Sequence, residues 1–345
     1  MMNFCTLFDS YYLDKGIALY QSLEKVSGDF HLYIFCFDDR SRDILKKMKL
    51  EHATILHHSD IEKETGKLLE LKKERSKAEY CWTCTPVIIA YVLKHFPVDS
   101  CTYIDADLYF FSDPQVLFDE MKGSGANIVI TEHRFSNSLK DKRYLKRSGK
   151  YCVEFNYFDQ TENAGKALDW WKERCFEWCY HLYEPERMGD QKYLEKFPGL
   201  FEGVHELQHL GGGTAPWNLS QYELVSGGSG TSLDGSGRVF LKEKKSGKEF
   251  PLVFYHFQNI RYLSDKKVNV NSCTHSKPLK RAIYLPYLRN IEQVRKKLKT
   301  MGVDFSTKKS YSSNPIIAFV QKNVLQYKIR SFSDIFDLEE IRKGL

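Results

Sequence analysis

No apolar run in the 345-residue chain approaches the ~20 residues that span a bilayer, so an integral membrane protein is excluded. Two common phosphate-binding signatures are missing as well. No Gly-x-Gly-x-x-Gly follows the first strand-like run, and Gly-x-x-x-x-Gly-Lys-Ser/Thr occurs nowhere. Basic residues do not dominate: 51 Lys and Arg face 45 Asp and Glu, a net charge of +6, with no base-stacking motif, so nucleic-acid binding is not expected. No apolar signal segment follows the opening MMNFCTLFDS, and the nine cysteines are odd in number, so reduced thiols in a cytosolic protein are expected. Cys81-x-x-Cys84 and Cys175-x-x-x-Cys179 lie among Trp, Tyr and aliphatic residues, where thiols read as small buried hydrophobes rather than metal ligands.

What the chain does have, 42% hydrophobic and 14% aromatic residues, is ample for one large α/β domain with an appendage or for two modest domains. Strand-like and helix-like segments alternate from the start: MNFCTLF, DKGIALYQSLEKV, FHLYIFCF, RSRDILKKM, ATILHH. Such alternation predicts a mostly parallel sheet flanked by helices. A polar stretch then leads to a buried helix, AEYCWTCTPVIIAYVLKHF, and to a strand ending in CTYIDADLYFFSDP. Further strands are expected at ANIVITEH and YCVEFNYF, a helix at NAGKALDWWKERCFEWCYHL, and a hairpin from RVFLKEKKSGKEF into PLVFYHF. From residue 262 the composition shifts to amphipathic, basic helical segments, KPLKRAIYLPYLRNIEQVRKKLKTM and NPIIAFVQKNVLQYKIRSF.

Ligands of open parallel sheets gather at the carboxyl ends of strands, where Asp105 and Asp107 stand. Apolar TYI before and LYFF after make this pair hard to place in solvent, and two unpaired carboxylates are costly to bury. A divalent cation relieves their repulsion and leaves room for phosphate oxygens. His256, near the end of a second strand-like run, is the candidate third ligand, and an Asp, Asp, His set favours Mn²⁺ over Ca²⁺.

Taken in order, FCTLFDSYY, YIDADLYFFSDP, FNYF, GDQKYL, APWNL and YHF resemble the retaining glycosyltransferases of the GT-A fold, close to family 8 and to bacterial enzymes of surface-polysaccharide or lipopolysaccharide synthesis. The resemblance covers roughly residues 1 to 260. It implies a catalytic domain over 1–261, with a nucleotide-sugar half to about 125 and an acceptor half from about 126, followed by a basic helical extension over 262–345. It implies a hexose transferred from a nucleotide diphosphate sugar, a UDP-sugar by expectation, to a saccharide acceptor, with Mn²⁺ or Mg²⁺ held by Asp105, Asp107 and His256. Asp105 also matches a ribose contact, Tyr11 a base-stacking aromatic, and Thr6 and Phe8 the walls of the same pocket. Asp190 and Gln191 match the pair beside the transferred sugar, and Asn156 a polar position near the reacting centre. Asp190 also stands where it would cap the helix that follows.

Two departures bear on the diphosphate. The helix before the aspartates lacks the family's internal basic residue, leaving Lys77 as its substitute. In HFQNIRY, Asn259 stands at the glycine position and Tyr262 at the lysine position of the family's His-x-x-Gly-x-x-Lys, so Arg261 or Lys266 is expected to supply the charge. Lys and Arg interleaved with Ile, Leu and Tyr between 277 and 299 suit either packing on the domain or a tether to an anionic membrane bearing a lipid-linked acceptor, with Pro286 interrupting any long helix. The rivals are a noncatalytic nucleotide-sugar or carbohydrate-binding protein on the same fold and, remotely, an Asp-x-Asp phosphatase.

Overall fold

The fold is described from a computed structural model for residues 1–225, 238–270, 276–305, 334–343 and 345. The stretch SGGSGTSLDGSG at 226–237, whose glycine and serine content predicts a loop, and the second tail helix expected at 314–332 lie outside these residues.

Among the described residues the strands fall, in chain order, at β1 (Met2–Phe8), β2 (Phe30–Cys36), β3 (Ala53–His57), β4 (Ser100–Ile104), β5 (Leu108–Phe110), β6 (Ile128–Glu132), β7 (Tyr151–Asp159), β8 (Val204–Glu206), β9 (Tyr222–Leu224), β10 (Phe240–Glu243), β11 (Glu249–Pro251), β12 (Phe254–His256), β13 (Arg261–Ser264), β14 (Lys267–Asn269) and β15 (Ile335–Asp337). Seven form a mixed, mostly parallel sheet in the order β3-β2-β1-β4-β7-β6-β8, the α/β class that the alternation predicts. β7 runs antiparallel to both β4 and β6, while the remaining pairs are parallel.

The central strands are buried on both faces, which is why they read as continuous apolar runs. Along β1, Met2, Phe4 and Phe8 enter one core and Cys5 and Leu7 the other. Helices Lys77–His95 and Glu162–Glu177 cover the second face, joined there by Cys84, Cys175 and Trp171. Ser76 caps the first of these through its hydroxyl, with Glu79 closing a capping box. Helices Leu13–Val26, Asp39–Met48 and Gln115–Ser124 cover the first face.

The basic segment after residue 276 is one continuous helix, Lys277–Thr300, with Pro286 inside it rather than at its end. An interior proline removes a backbone hydrogen bond, and burial on one side holds the helix through it. Leu279, Ile283, Tyr284, Tyr287, Leu288 and Ile291 share a third core with Tyr109, Tyr255 and Phe257. The same helix meets the amino-terminal helix through Arg295 and Asp14 at 2.6 Å and Asn290 and Gln21 at 2.9 Å. Among the described residues no helix is long and apolar enough to cross a membrane.

Candidate metal and donor site

β4 ends at Ile104, and a tight turn follows in which the Leu108 amide donates to the Asp105 carbonyl at 3.1 Å. β5 then pairs antiparallel with β12, placing His256 opposite Leu108. The Phe257 amide donates to the Asp107 carbonyl at 2.9 Å and locks this register beside the turn. β12 is held along residues 211–214: the Phe254 amide donates to the Gly211 carbonyl at 3.1 Å and the His256 amide to the Thr214 carbonyl at 3.0 Å, while a Cβ on Gly211 would lie 2.1 Å from the Pro251 carbonyl oxygen of the preceding strand.

The outcome is a convergence. His256 Nε2 lies 3.1 Å from Asp107 Oδ1 and 3.7 Å from Asp105 Oδ2. One ligand atom from each of the three residues lies within 4.8 Å of the others. His256 Nδ1 is 2.6 Å from Glu154 Oε2, and the Tyr103 hydroxyl donates to Asp105 Oδ1 at 2.9 Å. Burial opposes charge throughout and the partners decide the balance. Burial and the Asp107 charge, countered by His256, raise Asp105 to about 6. Burial also opposes the Asp107 carboxylate, but His256 and then Lys15 overcome it and hold the group at about 2. His256 stays well above the usual imidazole range because Asp107 and Glu154 outweigh its burial.

Two carboxylates and an imidazole nitrogen suit a divalent cation that accepts mixed oxygen and nitrogen ligands. Glu154 is the orienting partner such a histidine needs, since accepting Nδ1–H turns Nε2 toward the aspartates. Cys152, Glu154 and His256 form a second group. Burial pushes that thiol up to about 12, and Nδ1 is already engaged by Glu154, so it makes a poor ligand set.

The other candidates fall at several places. Tyr11 is 78% exposed, and Lys77 Nζ lies 5.7 Å from the centre of its ring, so the structure brings these two together. Thr6 and Phe8 are buried in β1 with no exposed face. Asp190 is buried; burial first, then the Asp105 charge, lifts its carboxyl to about 7, against a hydrogen bond from Thr85. Its side chain makes no cap bond to the 3-10 turn Gln191–Lys196. Gln191 donates to the Ser148 carbonyl. Asn156 is wholly buried on β7, opposite Tyr103, and neither of its amide atoms has a partner among the described residues. Arg261 is exposed on β13, and Lys266 pairs with Glu339 at 2.9 Å. Asn259 has φ 63°, the left-handed region that glycine favours and asparagine tolerates.

Two contributors escaped sequence reading. Glu154 is a lone acid in the apolar strand YCVEFNYF, and that isolation was its signal. Lys15, in the first turn of Leu13–Val26, puts Nζ 3.9 Å from Asp107 Oδ2 and 3.8 Å from the centre of the Tyr12 ring. Nothing in the pattern DKG distinguishes it from a surface lysine.

The chain is 30% identical over 311 residues to the uncharacterized protein YfnD of Bacillus subtilis (strain 168), covering 88% of this chain and 93% of that one. It belongs to that protein's family. YfnF of the same organism, also uncharacterized, is 31% identical over 271 residues, 77% of this chain and 84% of its own. No family model matches. Mouse xyloside xylosyltransferase 1 in its apo form aligns over 75% of this chain and 98% of its own, at 13% identity and a TM-score of 0.45. The galactosyltransferase LgtC, in complex with donor and acceptor sugar analogs, aligns over 74% and 86%, at 12% identity and a TM-score of 0.45. Likenesses this distant decide neither fold nor chemistry, which rest on the residues above.

Proposed function

We propose that the protein is a metal-dependent glycosyltransferase that moves a hexose from a nucleotide diphosphate sugar, a UDP-sugar by preference, to a saccharide acceptor in surface-polysaccharide synthesis, with retention at the anomeric carbon. The observation that supports this best is the meeting of Asp105, Asp107 and His256 at the carboxyl end of β4. A divalent cation bound there supplies fixed positive charge for the diphosphate and the leaving group.

The chain's own groups take the remaining roles in this reading. Tyr11 offers an exposed ring to the base with Lys77 beside it. Lys15, rather than Arg261 or Lys266, is the cation nearest the aspartates and faces the diphosphate side. Asn156, buried with both amide atoms unpartnered among the described residues, and buried Asp190 face the sugar, with Gln191 beside them.

Incubating the purified protein with Mn²⁺ and a panel of nucleotide sugars tests this, because slow donor hydrolysis identifies both activity and donor. Asp107→Ala and His256→Ala should abolish hydrolysis and Mn²⁺-nucleotide binding together. Binding without hydrolysis or transfer for any donor would leave a nucleotide-sugar-binding protein, and unchanged Mn²⁺-nucleotide affinity in Asp107→Ala would overturn the site.

A further inference from the structure

Helix Leu139–Ser148, with the sequence LKDKRYLKRS, turns almost its whole circumference to solvent. Its one acid, Asp141, is buried and its carboxylate accepts from the Ser136 amide and hydroxyl. Lys140, Lys142, Arg143, Lys146 and Arg147 are exposed, and none of the five forms an ion pair among the described residues. Surface helices usually offset such charge with acids one turn away.

Apolar side chains stand out among these cations. Leu139 is 79% exposed, and Tyr144 and Leu145 flank the charged face. Lys192 ties a second apolar segment to the helix: its Nζ donates to the Lys146 carbonyl at 2.9 Å and lies 4.9 Å from the centre of the Tyr183 ring, next to Leu182, which is 61% exposed. Five of the twelve large hydrophobic residues exposed among those described thus gather on this one patch.

Packed rings connect the patch to the metal site. A row of rings runs from His256 to Trp217 at 5.3 Å, to His133 at 5.3 Å, to Phe135 at 4.7 Å and to Tyr144 at 6.2 Å.

We propose that helix Leu139–Ser148 with Leu182 and Tyr183 docks on an anionic lipid bilayer. Unpaired cations match the negative headgroups, and the projecting leucines and tyrosines match the boundary between headgroups and acyl chains. A soluble polyanion would use the cations but leave the leucines without a role. Helix Lys277–Thr300, for which the sequence allowed either packing on the domain or a membrane tether, has its apolar face buried in the third core. The inference does not rest on the transferase reading, because bilayer binding is measured without any donor.

The test is sedimentation of the full chain with phosphatidylcholine vesicles, with and without phosphatidylglycerol. Binding should require phosphatidylglycerol and fall as salt rises. The combined Lys142→Glu, Arg143→Glu, Lys146→Glu and Arg147→Glu variant should bind at least about 100-fold more weakly, with an unchanged melting temperature and Mn²⁺ affinity. Leu139→Ser with Leu182→Ser, which keeps every charge, should lose about tenfold. Charge reversal at Lys296, Lys297 and Lys299 should change little. The proposal fails if the wild type ignores anionic vesicles or if the helix reversal binds as the wild type does. It also fails if the leucine variant binds undiminished while polyphosphate displaces the protein, which would make a soluble polyanion the occupant.

Discussion

Asp190 carries a pH-dependent cost in stability that its proposed place beside the sugar would explain. Its buried carboxyl is raised to about 7, so between about pH 4 and pH 7 the folded chain holds a proton that the unfolded chain has released. The stability linked to that proton is complete below about pH 4 and lost as pH rises through 7. Asp190→Asn should therefore melt like the wild type near pH 4 and be more stable at pH 8, by about 1 to 4 kcal/mol, while turnover drops by orders of magnitude. Melts at the two pH values decide this, and a loss of about 1 kcal/mol at both would return Asp190 to a helix-capping role. Glu154 acts through its neighbour. A glutamine there can donate to Nδ1 and leave the proton on Nε2, so Glu154→Gln should weaken Mn²⁺ binding by about 10- to 100-fold. Calorimetry with Mn²⁺ reads this directly, and unchanged affinity would remove the orienting role.

At the level of elements, the short link from β12 to β13 carries a backbone demand. Asn259 sits at φ 63° just past the histidine strand, so Asn259→Gly should be tolerated, whereas Asn259→Val should cost about 1 to 2 kcal/mol in urea denaturation. Equal stability of the two variants would show that this conformation is not demanded. Elements whose burial leaves a period in the chain were legible in advance: β1, β2, β4 and β7 with their helices fall where the alternation puts them. The meeting of Asp105, Asp107 and His256 was legible because polar residues at the ends of apolar strands need a reason. Lys15 was not, because its meaning comes from a salt bridge across 92 positions, Lys15 to Asp107, that no local pattern encodes. Nor was the path of Lys277–Thr300, since a proline that breaks an isolated helix is tolerated once burial supplies the free energy.

For the whole molecule, the question is whether the chain divides at residue 261. Phe257 stacks on Tyr287 with ring centres 3.8 Å apart, and the Tyr255 and Tyr284 hydroxyls meet at 2.6 Å. Both pairs join the strand that carries His256 to helix Lys277–Thr300. Removing everything after Arg261 would strip partners from Tyr109, Tyr255 and Phe257 and delete the contacts of Val268, Leu279, Ile283 and Leu288. At about 2 to 5 kcal/mol for each large side chain lost from a core, a few such losses exceed the roughly 5 to 15 kcal/mol that holds a typical domain together. A chain ending at Arg261 should therefore be insoluble or lack a cooperative melt, and it should not bind Mn²⁺, because the strand supplying the third ligand has lost its cover. Heating such a chain while following near-ultraviolet circular dichroism, with Mn²⁺ affinity measured alongside, separates the two possibilities. A sharp transition with retained affinity would make the carboxyl-terminal segment an appendage, and its absence would make that segment part of the wall that positions His256.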